Sequence, residues 1–365
     1  RRSRAERQQV NAASDSIIMI PPTSIPKALS KNLLACNIYV SAGHPSLSSH
    51  LLSLLLQSQK QCLSLLPHNR VAIVHAFTDV TYRRSSFHVA GDAEGVTTVS
   101  SRLASDAMTS LVGVGVDPLL PDENNNDVVT RNTRHPFVGI VDHVSVMPLE
   151  RDGNDESEET TTAHGLAARA IGEVLSQRGC HVHYYGRACE DNTPLATVRR
   201  DKTSFFKSGG LETERGTSSP YDYGAATVGA PDSFVENFNV RLRGSDRRTA
   251  ASLARALRYR DGGVVGVEAL TLPYGGGGRY EVACNLLCPE TGGGMDEVLS
   301  RLEAWKTGDG GSREDAIVEK AYRVGTTRKQ CMDVLKLSRD GGGEVREEYD
   351  AGVLRRFEYG FVSDE

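Results

Sequence analysis

The sequence predicts an α+β fold: two ferredoxin-like (βαββαβ) subdomains whose antiparallel sheets face each other across a cleft. Three observations predict it. Apolar periodicity runs strand, helix, strand, strand, helix between Cys36 and Leu111. The same order recurs between Phe234 and Lys306. Each half would place its helices on one sheet face only, and two uncovered faces are most economically buried against each other.

Taken in order, Cys36 to Ser41 reads as the first strand. Helical spacing follows at Leu47, Leu51, Leu54, Leu55 and Cys62, with Pro45 near the start and Pro67 after the end. Arg70 to Phe77 reads as a strand, and Ser85 to Ala90 alternates as its partner. Val99, Leu103, Ala107 and Leu111 mark one face of a second helix, and Val138 to Met147 supplies the last strand of this unit. A further helix, Ala163 to Gln177 with Leu166, Ala170 and Val174 inward, leads to a short strand from His181 to Tyr185. The second unit reads as strand Phe234 to Leu242, helix Asp246 to Arg258, strands Gly263 to Leu270 and Tyr280 to Leu287, and helix Met295 to Lys306.

A chain of 365 residues with 39% hydrophobic content accommodates two domains with packed cores. The boundaries fall at 1–31 for a disordered tail, 32–206 for the first subdomain, 207–232 for a Gly/Ser/Thr-rich linker and binding loop, 233–340 for the second subdomain, and 341–365 for an extension. Residues 114–134, rich in Asn and Asp, and the acidic run from Glu150 to Glu159 read as solvent loops. A net charge of -5 argues against nucleic-acid binding through a broad basic surface. The seven cysteines form no Cys-x-x-Cys pair, so neither a disulfide framework nor a zinc knuckle is indicated, and a reducing compartment is expected. No apolar run approaches the ~18 residues of a membrane span. Arg1, Arg2, Arg4 and Arg7 among several serines are compatible with a transit peptide, whereas Glu6 and Asp15 count against one. The expected compartment is the cytoplasm, with plastid or mitochondrion as the alternative.

One stretch stands out. From Arg134 to His143, two histidines and an aspartate interrupt an apolar, β-branched run, although burying an unpartnered polar group costs about 1–3 kcal/mol. Pro136 holds His135 in extended conformations at the lip of the strand. Two readings fit: a solvated histidine where the strand begins, or a catalytic imidazole.

Other motifs exclude more than they assign. G-x-S-x-G, Walker and HExxH patterns are absent, and Gly113-Val114-Gly115 runs into Asp117-Pro118 rather than a helix, which excludes a Rossmann loop. Gly275 to Gly278 lie between strand-like runs and read as a hairpin loop. His181 and His183 share a strand face but lack further ligands, so no metal site is expected. Strand alternation places Asn285 on the cleft side. Arg83 and Arg84, and Arg199, Arg200, Lys202 and Lys207, form two basic clusters, each either a solvated face or an anion site.

Five short motifs in order carry a resemblance. His135-Pro136-x-x-Gly139-x-x-Asp142, Tyr185-Gly186, Gly216-Thr217-Ser218-Ser219, Phe238-Asn239-Val240 and Asn285-Leu286-Leu287 resemble the formiminotransferase domain, the folate-dependent half of formiminotransferase-cyclodeaminase. The likeness runs from about Cys36 to Lys306, and His143 extends it to the plant-type single-function members. It implies two ferredoxin-like subdomains with a folate channel between them. It also implies a place in histidine and glutamate metabolism: transfer of a formimino group from N-formimino-L-glutamate to N5 of tetrahydrofolate, the co-substrate, without a metal.

In that reaction an amine attacks an amidine-type carbon through a tetrahedral intermediate, so one proton leaves N5 and one reaches the departing glutamate nitrogen. By resemblance His135 is the catalytic shuttle, suited to it by an ordinary pKa of about 6.5, and Asp79 orients the imidazole. The resemblance makes Arg84 and Arg199 carboxylate binders. It adds Asp142, Tyr185, Gly186, Asn239 and Asn285 to the site. It also adds the loop from Gly216 to Ala225, with Gly216, Ser218, Ser219 and Gly224, and Tyr221 and Tyr223 covering the pterin.

One position departs from the pattern: Phe137 stands where the family usually has Arg, weakening carboxylate or folate binding or altering the chemistry. Too few residues follow Lys306 for the helical cyclodeaminase half, so ring closure with ammonia release is expected on another protein. The partners expected are the small-molecule substrates, with no nucleic acid or membrane, and a homodimer is allowed. The alternatives are a formyl-transferring relative, a non-catalytic folate-binding paralogue, and an interaction module built on ferredoxin-like repeats.

Overall fold

The computed structural model describes residues 25–66, 68–112, 135–150, 162–206, 223–275, 278–308, 317–340 and 342–361. Its first unit follows the order β1 (Leu33–Val40), α1 (Ser48–Leu65), β2 (Val71–Asp79), β3 (Arg84–Asp92), α2 (Ala93–Val112) and β4 (Val141–Pro148). The strands lie in the sequence β2-β3-β1-β4, with every pairing antiparallel. This is the ferredoxin-like arrangement expected.

The first sheet then grows beyond it. The helix α3 (Ala163–Gln177) crosses back to β5 (His181–Gly186), the short helix α4 (Leu195–Asp201) follows, and β6 (Ala225–Ala230) slots between β4 and β5, parallel to both. The sheet is therefore mixed and six-stranded rather than purely antiparallel. A helical crossover returns the chain in the direction it left, which dictates the parallel pairing. β6 was hidden in the sequence because six small residues after a Gly/Ser/Thr-rich stretch carry little alternation.

The second unit repeats the pattern: β7 (Glu236–Arg243), α5 (Arg247–Leu257), β8 (Val267–Pro273), β9 (Tyr280–Leu286), α6 (Met295–Thr307) and β10 (Ile317–Val324), in the sheet order β10-β7-β9-β8. β10 completes the βαββαβ unit. As an edge strand it carries Glu319, Lys320 and Arg323, which mask its apolar alternation in the sequence.

Strand alternation sorts each sheet into two chemically different faces. Cys36, Ile38, Phe87, Val89, Val144 and Val146 pack beneath α1, α2 and α3 with Leu51, Leu55, Leu103, Met108 and Ile171. In the second sheet Phe238, Val240, Leu242, Val282, Cys284 and Leu286 pack beneath α5 and α6 with Leu253, Leu257, Val298, Leu302 and Trp305. The opposite faces are polar. Tyr39 on β1 donates from its hydroxyl to Asn237 Oδ1 on β7 at 3.2 Å, a direct bond from one sheet to the other.

Two C-terminal helices return to the first subdomain. α7 (Arg328–Asp340) sets Cys331, Val334 and Leu335 against Leu33, Ala35, Val74, Ala90 and Met147, covering the apolar end of that sheet's second face. α8 (Gly342–Tyr359) adds Val353 and Phe357 to the first core and is tied by Gln59 Nε2 donating to the Asp350 carbonyl at 2.8 Å. Among the described residues no helix is long and apolar enough to cross a membrane.

Candidate active site between the sheets

The polar stretch singled out in the sequence lies only partly within a strand: Asp142 and His143 belong to β4, and His135 precedes it. β4 begins at Val141, and the residues before it are held by backbone bonds to the entry of β6: Ile140 N–H donates to Tyr223 O at 3.0 Å and Ala225 N–H to Val138 O at 2.9 Å. Gly139 and Gly224 meet back to back. A Cβ on Gly139 would lie 2.2 Å from the Ala225 carbonyl oxygen, and Gly224, at φ +70°, would meet Gly139 Cα and Val138 O at 2.7 Å. This close approach fixes where His135 stands.

His135 is half-buried, with Nδ1 2.6 Å from the Pro136 carbonyl oxygen and Nε2 2.8 Å from Arg84 Nη1. A carbonyl only accepts and a guanidinium only donates, so Nδ1 carries the proton and Nε2 the lone pair. Burial pushes the imidazole pKa well below its ordinary value, the Arg84 charge pushes the same way, and the Pro136 carbonyl opposes both. The expectation of an ordinary pKa near 6.5 is therefore corrected: His135 is neutral at neutral pH.

Asp142 is fully buried beside it. Its Oδ1 accepts from Val138 N–H at 3.0 Å, and its Oδ2 faces Arg84 Nη2 at 2.9 Å and Arg199 Nη2 at 3.4 Å. Arg84 opens β3, and Arg199 projects from α4; their guanidinium groups lie over the rings of Tyr39 and Phe205 at 4.2 and 4.1 Å. Two guanidinium groups share one carboxylate, leaving one positive charge in excess. The Nε of each arginine is buried with no hydrogen-bond partner among the described residues. Such a group accommodates an anion, and a carboxylate fits its geometry.

The remaining expected residues divide. Tyr185 donates to or accepts from His143 Nε2 at 2.9 Å, while His143 stacks on Tyr39 at 5.7 Å; Gly186, at φ +60°, leaves room for the Ala230 carbonyl. Asn239 donates to Glu281 Oε1 at 2.7 Å, and Asn285 accepts from Asn237 Nδ2 at 2.8 Å on the cleft side of β9. Asp79 does not orient the imidazole. Its Oδ1 accepts from Tyr82 N–H at 2.7 Å, and the two ring nitrogens of His135 face Arg84 and Pro136 instead. Burial pushes the Asp79 carboxyl up to about 6, with the Tyr82 amide pulling against it.

Two aromatic expectations change place. The Tyr223 ring is buried in the first core rather than laid over a ligand, because Gly224 turns the chain directly into β6. Phe137 is likewise buried in that core, 3% exposed, so the position that departs from the family pattern packs beneath the helices of the first subdomain. Gly216, Ser218, Ser219 and Tyr221 lie outside the described residues. Among the described residues no three His, Cys, Asp or Glu side chains converge on a metal position; the His181 and His183 rings lie side by side at 4.5 Å without a third ligand of that kind.

Sequence reasoning passed over the second sheet's charged cluster. Arg241 stacks on Tyr274 at 3.6 Å, and Glu281, fully buried, receives Arg241 Nε at 3.1 Å and the Tyr322 hydroxyl at 2.7 Å. Tyr274 in turn meets Tyr82 edge to face at 4.9 Å. The signal was present: Asn237, Asn239 and Arg241 alternate with Phe238, Val240 and Leu242, which marks a second polar face.

Comparison with known proteins bears on this region directly. A family model described as the formiminotransferase domain, N-terminal subdomain, matches residues 123–231, the span that holds His135, Asp142, Tyr185 and Arg199. A formiminotransferase cyclodeaminase-like protein of Arabidopsis thaliana is 27% identical over 322 residues, covering 84% of this chain and 97% of that protein. A glutamate formimidoyltransferase of Thermoplasma acidophilum is 28% identical over 170 residues, 44% of this chain and 53% of that protein. The domain match lies across the His135 segment and the plant relative spans both ferredoxin-like units, so the chain is similar to proteins of the formiminotransferase domain family over most of its length.

Proposed function

We propose that the chain is a folate-dependent one-carbon transferase that moves a formimino group from N-formimino-L-glutamate to N5 of tetrahydrofolate. The observation that carries this reading is the Arg84–Asp142–Arg199 group beside His135. Its surplus positive charge and two Nε–H groups without a partner among the described residues suit a substrate carboxylate, next to a neutral imidazole able to take a proton. The polar faces of the two sheets suit a flat, polar co-substrate between them.

In the reaction the N5–C bond forms first, giving a tetrahedral intermediate, and the bond from carbon to the glutamate nitrogen then breaks. His135 takes the N5 proton at Nε2, and the imidazolium returns a proton to the departing nitrogen. Arg84 Nη1 occupies that lone pair at 2.8 Å. The substrate carboxylate therefore does more than bind: by drawing the guanidinium toward itself it frees Nε2. Asp142, held by Val138 N–H, anchors both arginines throughout.

The engaged state of both His135 nitrogens favours a second reading, a folate-binding protein that does not turn over. One experiment separates them: purified protein is incubated with formiminoglutamate and tetrahydrofolate, acidified, and examined for the absorbing methenyl-folate product, with His135→Ala alongside. The leading reading expects product from the wild type and at least about a hundredfold less from the variant. Folate binding without product rejects it for the second reading, and equal turnover by His135→Ala removes His135 from the mechanism.

A further inference from the structure

Asn37 lies on β1 two residues before Tyr39, on the face turned toward the second sheet. Its side chain is 5% exposed, and its oxygen is shut off from solvent with no hydrogen-bond partner among the described residues. Its neighbours along the row are satisfied without it. His88, opposite on β3, faces Ser86 Oγ and Thr326 Oγ1 at 3.0 Å each, and Ser145, opposite on β4, bonds Tyr185. Packing has no use for an amide here, since Ala35, one repeat earlier on the same face, is met by apolar residues. A buried amide oxygen left unpaired is destabilising, so its retention calls for a partner that arrives from outside.

A primary amide offers one acceptor beside one donor in a plane, the complement of a heterocycle edge carrying an amino group next to a ring nitrogen. We propose that Asn37 reads the 2-amino/N1 edge of the pterin ring, its Oδ1 accepting from the 2-amino group and its Nδ2 donating to N1. The assignment rests on the folate reading above. It also suits the spacing. Residues two apart on a strand are about 7 Å apart, and Tyr39, the next residue on this face, carries the Arg84 guanidinium at 4.2 Å, which in turn reaches His135. The 2-amino end is the end of the pterin far from N5, so a ring held there by Asn37 points N5 along β1 toward Arg84 and His135.

The test is a cycle between protein and ligand, read by calorimetric binding. The ligands are 5-formyltetrahydrofolate and its 2-desamino-2-methyl analogue; the proteins are wild type and Asn37→Leu, with Asn37→Ala serving if Leu is too large for the site to fold. Wild type is expected to bind the analogue about ten- to hundredfold more weakly, and the variant to bind both ligands equally, at the weaker level. Additive losses from the two changes overturn the Asn37 assignment alone. Failure of the wild type to bind either ligand overturns the folate reading and this assignment with it.

Discussion

Arg84 Nη1 lies 2.8 Å from His135 Nε2, on the one ring nitrogen whose lone pair is available for proton transfer. The same guanidinium holds Asp142 at 2.9 Å through Nη2 and covers the Tyr39 ring. Base, anchor and second sheet therefore meet at a single side chain, through Tyr39 and Asn237.

The first prediction follows from that charge. Arg84 depresses the His135 pKa together with burial, so Arg84→Met, which keeps the stem and removes the charge, is expected to raise it toward 6.5. Turnover in the proposed reaction should fall by about a hundredfold or more, and the acid limb of its pH profile should move to higher pH. A limb that stays in place, or an imidazole resonance that titrates at the same pH in both proteins, would show that Arg84 does not govern His135.

Phe137 gives the second. Its side chain packs in the first core, and an arginine there must bury its charge or prise the core open. Phe137→Arg is therefore expected to destabilise by about 3 kcal/mol or more without raising folate affinity, whereas Phe137→Leu should cost about 1–2 kcal/mol. Urea unfolding and folate titration check both; tighter folate binding by Phe137→Arg at unchanged stability would refute the argument.

The contrast between those residues shows what single-sequence reasoning can and cannot reach. His135 and Asp142 were legible as polar residues in an apolar run, whereas Arg84 and Arg199, lying in basic clusters, entered through the resemblance; the structure brings all four together. The orienting role expected of Asp79 was not met, because a three-residue turn satisfies its carboxylate locally through Tyr82 N–H, a bond with no sequence signature. The repeated βαββα order was legible from period alone. β6 and β10 were not: one is made of small residues, the other is an edge strand dressed in charge. Nor does alternation reveal that α7 and α8 return to the first sheet, since it says which face of an element is apolar and not which surface it meets.

Gly139 and Gly224 supply a third prediction. Gly139→Ala places a methyl 2.2 Å from backbone oxygen that cannot yield without unpairing β6, and a loss of about 3 kcal/mol is expected. Gly262, at φ +86° with nothing among the described residues within 4 Å of a Cβ, is the control: Gly262→Ala should lose only the conformational preference, about 1–2 kcal/mol. Unfolding curves that rank the two variants the other way would mean the Gly139–Gly224 contact does not hold the His135 segment.

Acid stability gives the last. Burial pushes both His75 and His164 down to about 4, with Arg356 adding to the effect at His75 and Asp232 opposing it at His164. A histidine whose folded pKa is depressed binds its proton more readily in the unfolded chain, so between about pH 6.5 and 4 the unfolded state takes up more protons and stability falls as pH falls. Asp79 works the other way: held up at about 6, it favours the folded state at low pH and loses that contribution as pH rises from about 4 to 6. The histidines outnumber it, and burial also depresses His88, His135 and His143. The melting temperature is accordingly expected to be level above about pH 6.5 and to drop steadily toward pH 4, with His75→Leu flattening the slope and Asp79→Asn steepening it between pH 4 and 6. A melting temperature that is level across this range, or slopes unchanged in both variants, would show that these buried groups are not what makes the fold acid-sensitive.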